Sequence, residues 1–403
     1  MKDHAVQLRK SLLVALCRRE ATKDLDTVDV APLGDLEFRR EFLDFASSHR
    51  VLGLTLSVIT RALAQRSETA AQTQFDSLLR NVRRRATVFE LKRDQVVAAL
   101  FNQGVRPVVL KGAALAITFY DEPCQRDLVD LDILVREDRL EQSLQALKAQ
   151  GYSGPSTPEK CLAYRDHHFH IPLRHSDAHI VEIHWALTLP QAPFQLDASE
   201  VFRQSTPSER PGQPVLFLPR PEHTLLHLVI QNLQEGFSRL ARLVDIDRIV
   251  ASTPGLAWEI LVAAARTGNL TSATAESLQL AHRLLGTTVP DDVLHELRPG
   301  PVARFHLAIL RPDRSLLSQR SESVHSAKDL HELWLLGGVR KRLLLLRQRL
   351  VSDSAITFPR KKRPGPLLRL RRLGNLVVLQ LYLYVAAAFD QVTPSGRTQN
   401  RFW

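Results

Sequence analysis

Apolar residues recur at helical spacing through the first hundred positions. In 38–63 the run Phe42, Phe45, Ala46, then Val51, Leu52, Leu54, Leu56, Val58 and Ile59 predicts helices with a buried side. A second stretch, 78–100, interleaves Arg80, Arg83, Arg84, Arg85 and Arg93 with Val82, Val88, Leu91, Val96 and Leu100. That pattern predicts an amphipathic helix whose basic face is a solvated surface. The period then changes. Gly104 stops the helix, and Arg106-Pro-Val-Val-Leu-Lys-Gly112 is a short β-branched run ending in glycine. A small apolar helix follows over 113–120. In Leu128-Val-Asp-Leu-Asp-Ile-Leu-Val135 polarity alternates as on a strand, and 140–150 is helical again up to Gly151. Two more strands are expected over 167–173 and 179–185, joined by the turn-prone 174–178. From Glu222 helical spacing returns and persists to about Leu350.

The expected architecture is α+β: a small mixed-sheet core between helical domains. Its expected boundaries are 1–100 for an N-terminal helical region, 101–218 for the α/β core, 219–350 for a C-terminal helical domain and 351–403 for a tail. With 403 residues, 44% hydrophobic and 24% charged, the chain has the composition of an ordinary folded protein. Three scattered cysteines, Cys17, Cys124 and Cys161, provide neither a disulfide framework nor a zinc knuckle, so a reducing, cytoplasmic setting is expected. The first residues lack the apolar core of a secretory signal. The net charge of +11 is concentrated at one end. From Arg311 onward 18 Lys and Arg face 6 Asp and Glu, leaving 36 against 37 in residues 1–310. The near-neutral body argues against a uniformly basic nucleic-acid surface.

Asp130-Leu131-Asp132 carries the sharpest chemistry. On a strand, positions i and i+2 share a face, so both carboxylates project together while Leu131, Ile133 and Val135 enter the core. Like charges held that close call for a cation between them. Glu182, in Ile180-Val-Glu-Ile-His184, repeats the arrangement with His184 beside it. If the two strands pair, three carboxylates converge on one patch suited to a hard, oxygen-loving ion such as Mg²⁺. Leu110-Lys-Gly-Ala-Ala114 places Gly112 at an expected tight turn where amides at a helix start face an anion. Carboxylates on one side and helix amides on the other indicate phosphoryl or nucleotidyl transfer.

These residues resemble a known family. Leu110-Lys-Gly, Tyr120, Arg126, Asp130-Leu-Asp-Ile-Leu-Val and Val181-Glu-Ile-His-Trp185 are similar to the signature of the bacterial nucleotidyltransferases whose core is related to DNA polymerase β. Ser48-His-Arg-Val51 upstream, and Leu225-Leu-His-Leu with Arg239-Leu-Ala-Arg-Leu-Val-Asp245 downstream, extend the likeness over about residues 40–250. The resemblance implies a polymerase β-like fold, with Asp130 and Asp132 binding two Mg²⁺ ions. Glu182 would complete the metal site and orient the acceptor, and Gly112 would contact the triphosphate. It further implies movement of a nucleoside monophosphate from a nucleoside triphosphate, ATP or another, to an acceptor with release of pyrophosphate. Lys111 and Ala113 flank Gly112 in the expected nucleotide site. Lys111 either neutralises phosphate or caps a helix face, and Arg126 either holds the Asp loop through an ion pair or reaches the nucleotide. His184 is expected to support Glu182 from behind. One departure is Ala113, where the wider superfamily has Gly or Ser after the glycine, so a phosphate-binding hydroxyl is missing. The alternative reading is a noncatalytic nucleotide-binding or scaffold relative.

His167, His168, His170, His175, His179 and His184 have no standard zinc spacing and are expected to act as hydrogen-bonders. Arg239, Arg242, Asp245 and Asp247 either line the cleft or form ion pairs on a helix surface. No P-loop, nucleophile elbow or His-Glu-x-x-His helix is present. In the tail, Arg340-Lys-Arg, Arg360-Lys-Lys-Arg and Arg369-Leu-Arg-Arg372 precede a 14-residue apolar run, Leu376 to Phe389, too short to span a bilayer. Either it packs on the body or on a second subunit, the favoured reading, or it attaches peripherally to an anionic membrane. A small-molecule or protein acceptor fits the neutral body best, and the basic tail leaves nucleic acid open.

Overall fold

The computed structural model describes residues 2–66, 69–154, 168–177, 179–190 and 192–310, together with Leu316 and Leu335. Cys161, His167 and the tail over 351–403, with its expected packing or membrane role, lie outside the described residues. Within them no helix is long and apolar enough to cross a membrane.

A six-stranded mixed sheet lies among helices. In chain order the strands are β1 (Val108–Val109), β2 (Asp130–Leu134), β3 (His170–Arg174), β4 (Ile180–His184), β5 (Thr206–Ser208) and β6 (Leu216–Leu218). Their spatial order is β3-β4-β2-β1-β6-β5. The hairpin β3–β4 forms one edge, and Pro172, which has no N–H to give a ladder, sits on its outer strand. The second hairpin, β5–β6, adds the other edge and was not foreseen from the alternation pattern, its strands having three residues each. Parallel pairing of β2 with β4 sets Asp132 beside Glu182 and Leu134 beside His184, and β3 sets His170 opposite His184.

Strand alternation divides the core into two layers. Leu131, Ile133 and Val135 pack with Val181 and Ile183 against Val96, Val97 and Leu100 of helix Thr69–Asn102 and Leu140 and Leu147 of helix Leu140–Ala149. Each such side chain contributes roughly 1.5–3 kcal/mol when fully buried. On the opposite side, Val108, Leu110 and Leu134 join a larger core built from both helical regions. The central strands' polar face therefore looks toward helices Pro221–Gln234 and Leu240–Ser252. One expectation is corrected. Arg93, placed on the solvated basic face of the long helix, is only 1% exposed, because Asp94 (2.8 Å) and Glu90 (3.5 Å) neutralise it inside the fold.

Candidate functional site

The buried end of the site is Asp132, 2% exposed. Its Oδ1 receives the Lys111 ammonium at 2.5 Å and lies 2.8 Å from His184 Nε2. Burial works against the charged carboxyl, but Lys111 and His184 more than offset it and hold Asp132 well below the usual carboxylate range. Burial likewise pulls Lys111 down, and Asp132 and Glu182 reverse this, leaving it above its ordinary value. Glu182 Oε2 lies 3.9 Å from Lys111 Nζ and 3.5 Å from His184 Nε2. Its Oε1 is 3.6 Å from His170 Nε2. Burial and the neighbouring His184 push the His170 ring down to about 4. Asp130 differs from its neighbours. Among the described residues no cation reaches it within ion-pair distance, and burial together with Asp132 raises its carboxyl above the ordinary range. His184 thus touches Asp132 directly as well as neighbouring Glu182, and Lys111 caps no helix face: its ammonium is the resident counter-ion of Asp132.

Facing these carboxylates is a cationic wall. A cleft of about 230 Å³ is lined by Asp130, Asp132, Lys111 and Gly112 on the sheet side and by Arg50, Gln231, Glu235, Arg239 and Arg242 on the helical side. Arg50 gets there through a helix end. Helix Leu36–Ser48 closes with Val51 N–H donating to Ala46 O (3.1 Å) and Arg50 N–H to Ser47 O (3.0 Å), a Schellman pattern with Arg50 at the left-handed position, φ +59°. Glycine is the usual occupant of that position, because a Cβ there meets the neighbouring carbonyl. Neighbouring His49 ties this turn to the other helix. Its Nδ1 accepts the Leu240 N–H (3.3 Å) and its carbonyl accepts the Ala241 N–H (3.2 Å). Burial, reinforced by Arg239, drives the His49 ring down to about 4, so it stays neutral and keeps its lone pair for Leu240. Arg239 and Arg242 both lean on Glu235, at 3.3 and 3.1 Å. Among the described residues Arg50 has no carboxylate within ion-pair distance. Burial and Arg239 push its guanidinium below the ordinary value, with Asp130 pulling the other way.

The loop between the helix at 111–118 and β2 is clamped at three points. Arg126 Nε donates to Asp245 at 2.8 and 3.1 Å, and the Tyr120 hydroxyl donates to the same carboxylate at 2.7 Å. Asp127 Oδ1 accepts the Gly53 N–H (3.2 Å), and Arg83 grips Glu122 through two bonds of 2.8 and 2.9 Å. The ion-pair reading of Arg126 is therefore the one observed, although its side chain also borders the cleft. Of the four downstream residues, Arg239 and Arg242 line the cleft, Asp245 is the buried anchor, and Asp247 turns elsewhere to Thr287 and Arg19.

Two further expectations shift. The tight turn anticipated at Gly112 falls one residue earlier, at Lys111, whose φ is +48°. Gly112 is already helical, and a Cβ there would meet only Leu128 Cδ2 at 3.4 Å. Ala113, expected in the nucleotide site, has its side chain in the apolar layer beneath the sheet, so it does not line the cleft and a hydroxyl there would point into the core. Sequence reasoning also missed Arg50 as a cleft residue, and only the motif Ser48-His-Arg-Val51 hinted at it.

Over residues 39–286 the chain matches the family described as uncharacterised nucleotidyltransferase. Among solved structures it is similar to an antigenic nucleotidyltransferase-like protein from Paracoccidioides brasiliensis. That likeness is 19% identical, covers 53% of this chain and 96% of that chain, and has a TM-score of 0.28. No curated protein matches the chain.

Proposed function

We propose that this chain, which belongs to the family of uncharacterised nucleotidyltransferases, moves a nucleoside monophosphate from a nucleoside triphosphate to an acceptor nucleophile and releases pyrophosphate. The observation that carries this reading is the opposition across one cleft of Asp130 and Asp132, with Glu182 paired beside Asp132 in the sheet, to Arg50, Arg239 and Arg242. Carboxylates without enough counter-charge suit a metal, and arginines without enough counter-charge suit phosphate oxygens.

The donor set fits Mg²⁺. Asp130, Asp132 and Glu182 offer only oxygen, and the raised carboxyl of Asp130 marks a place where added positive charge relieves repulsion. Those three residues would hold the ion, which when bound neutralises triphosphate charge at the reacting phosphorus. The chain's own groups do the rest. Arg50, Arg239 and Arg242 bind the phosphate tail and orient it toward β2. Uncapped amides at the start of helix Lys111–Thr118 add donors, since Leu110 supplies no side-chain cap. Lys111 holds Asp132 ionised, and the Arg126–Asp245–Tyr120 clamp fixes the loop that delivers Asp130.

A second reading is favoured by one contact. The Lys111 ammonium already satisfies Asp132, which suits a relative that binds nucleotide without turning it over. The two separate in a transfer assay with labelled ATP, GTP, CTP and UTP and Mg²⁺, offering small-molecule and protein acceptors. Label transfer lost in the Asp130→Ala, Asp132→Ala protein supports the enzyme. Calorimetric nucleotide binding without transfer supports the second reading, and transfer by the double variant at the parent's rate rejects the assigned carboxylates.

A further inference from the structure

We infer that His170, Glu182 and His184 form a binding site for a zinc-type transition-metal dication, which shares Glu182 with the magnesium carboxylates and differs from them in its imidazole donors. The inference goes beyond nucleotidyl transfer and rests on the geometry of two paired strands.

Antiparallel pairing puts His170 directly across from His184, while Glu182 stands two positions before His184 on the same face of β4. One donor atom from each of the three lies within 4.8 Å of the other two. The individual spacings are informative. Glu182 stands 3.6 Å from His170 Nε2 and 3.5 Å from His184 Nε2, longer than a good hydrogen bond. Two metal–ligand bonds of roughly 2.1 Å meeting at a tetrahedral angle span about 3.4 Å, and each oxygen of Glu182, Oε1 toward His170 and Oε2 toward His184, stands about that far from its imidazole. Both rings direct the same nitrogen to this point. Their other nitrogens, Nδ1 of His170 and of His184, are buried without a hydrogen-bond partner. Asp132 Oδ1, 2.8 Å from His184 Nε2, is the nearest further donor.

The donor types decide the metal class. Imidazole nitrogen favours zinc-type ions, whereas Mg²⁺ prefers oxygen, and two histidines with one glutamate leave a position open for a fourth ligand. Access is one-sided: His184 and Asp132 are 0% and 2% exposed, but His170 and Glu182 are 21% and 20%. An ion therefore enters past His170. Because Glu182 belongs to both sets, zinc and magnesium occupancy compete.

The test uses the full-length protein, stripped with chelator and titrated with Zn²⁺ alone against a competing zinc indicator. One tight equivalent is expected. His170→Asn should weaken it at least tenfold, and His170→Cys, which restores a zinc ligand, should bring affinity back to within about threefold of the parent. His175→Asn, at the far end of the hairpin, should leave it unchanged. X-ray absorption of the zinc-loaded parent, which needs no variant, should show two imidazole nitrogens and carboxylate oxygen. Parent-like zinc affinity in a folded His170→Asn protein, or a zinc shell without imidazole, would overturn the inference. Either result leaves the assignment of Asp130 and Asp132 to Mg²⁺ standing, since that is read from label transfer.

Discussion

Replacing Arg50 with glycine separates what that residue does for the fold from what it does in the cleft. Arg50 occupies the left-handed end of a Schellman turn at φ +59°, a conformation costing a non-glycine residue roughly 1–2 kcal/mol. Glycine removes that strain but loses more backbone entropy on folding, an opposing term of roughly 0.5–1 kcal/mol. No ion pair is lost among the described residues, and crowding against Arg239 is relieved. Arg50→Gly is therefore expected to unfold in urea at the parent's midpoint or slightly above it, a net gain of about 0–1.5 kcal/mol. The nucleotide should respond in the opposite direction. A charge-assisted hydrogen bond to phosphate contributes roughly 1.5–3 kcal/mol, so affinity for Mg²⁺-nucleoside triphosphate should fall about 10- to 150-fold. Urea unfolding followed by circular dichroism and nucleotide calorimetry on the same preparation read both quantities. A protein destabilised by more than about 1 kcal/mol with undiminished nucleotide affinity would refute the reasoning, because Arg50 would then be a structural residue.

Three other outcomes follow from the same geometry. Asp245→Ala strands the buried Arg126 guanidinium and should cost roughly 3–5 kcal/mol in urea unfolding. Arg126→Met combined with Asp245→Leu should recover most of that, and a harmless single variant contradicts the clamp. Gly112→Ala should fold at least as well as the parent, with up to about 1 kcal/mol gained from helix propensity, while its methyl hinders phosphate at the helix start. Nucleotide affinity unchanged by this substitution would remove Gly112 from the site. The His49 ring, ordinarily near 6.5 and lowered to about 4 by burial, binds fewer protons folded than unfolded. Stability is therefore full above pH 6.5 and falls by up to about 3 kcal/mol as pH drops toward 4, a decline His49→Gln should flatten in urea titrations at each pH.

Much of the sheet was legible because period-two alternation is a local property. Asp130, Asp132 and Glu182 stand out as candidates through the apolar residues between them, and the pairing that brings 132 beside 182 follows once both strands face one core. What stayed hidden depends on contacts distant in sequence. No pattern says that Lys111 takes the positive φ its glycine neighbour seemed to need, or that its ammonium reaches 21 positions forward to Asp132. Arg93 looked solvated because its neighbours in sequence are charged, and those neighbours are what allow its burial. Arg50 enters the cleft only because His49 joins two helix ends 191 positions apart. The facing of His170 and His184 is fixed by hairpin register, which the 13 intervening residues do not reveal.

The central claim is that Asp130 and Asp132 hold a metal for a nucleotide gripped from the opposite wall, and it can be measured without knowing the acceptor. Each nucleoside triphosphate is titrated into the parent and into the Asp130→Ala, Asp132→Ala protein, with and without Mg²⁺. For at least one nucleotide, Mg²⁺ should tighten binding to the parent at least tenfold. In the double variant that gain should vanish while metal-free binding to the arginines persists. An equal gain from Mg²⁺ in both proteins would contradict the account.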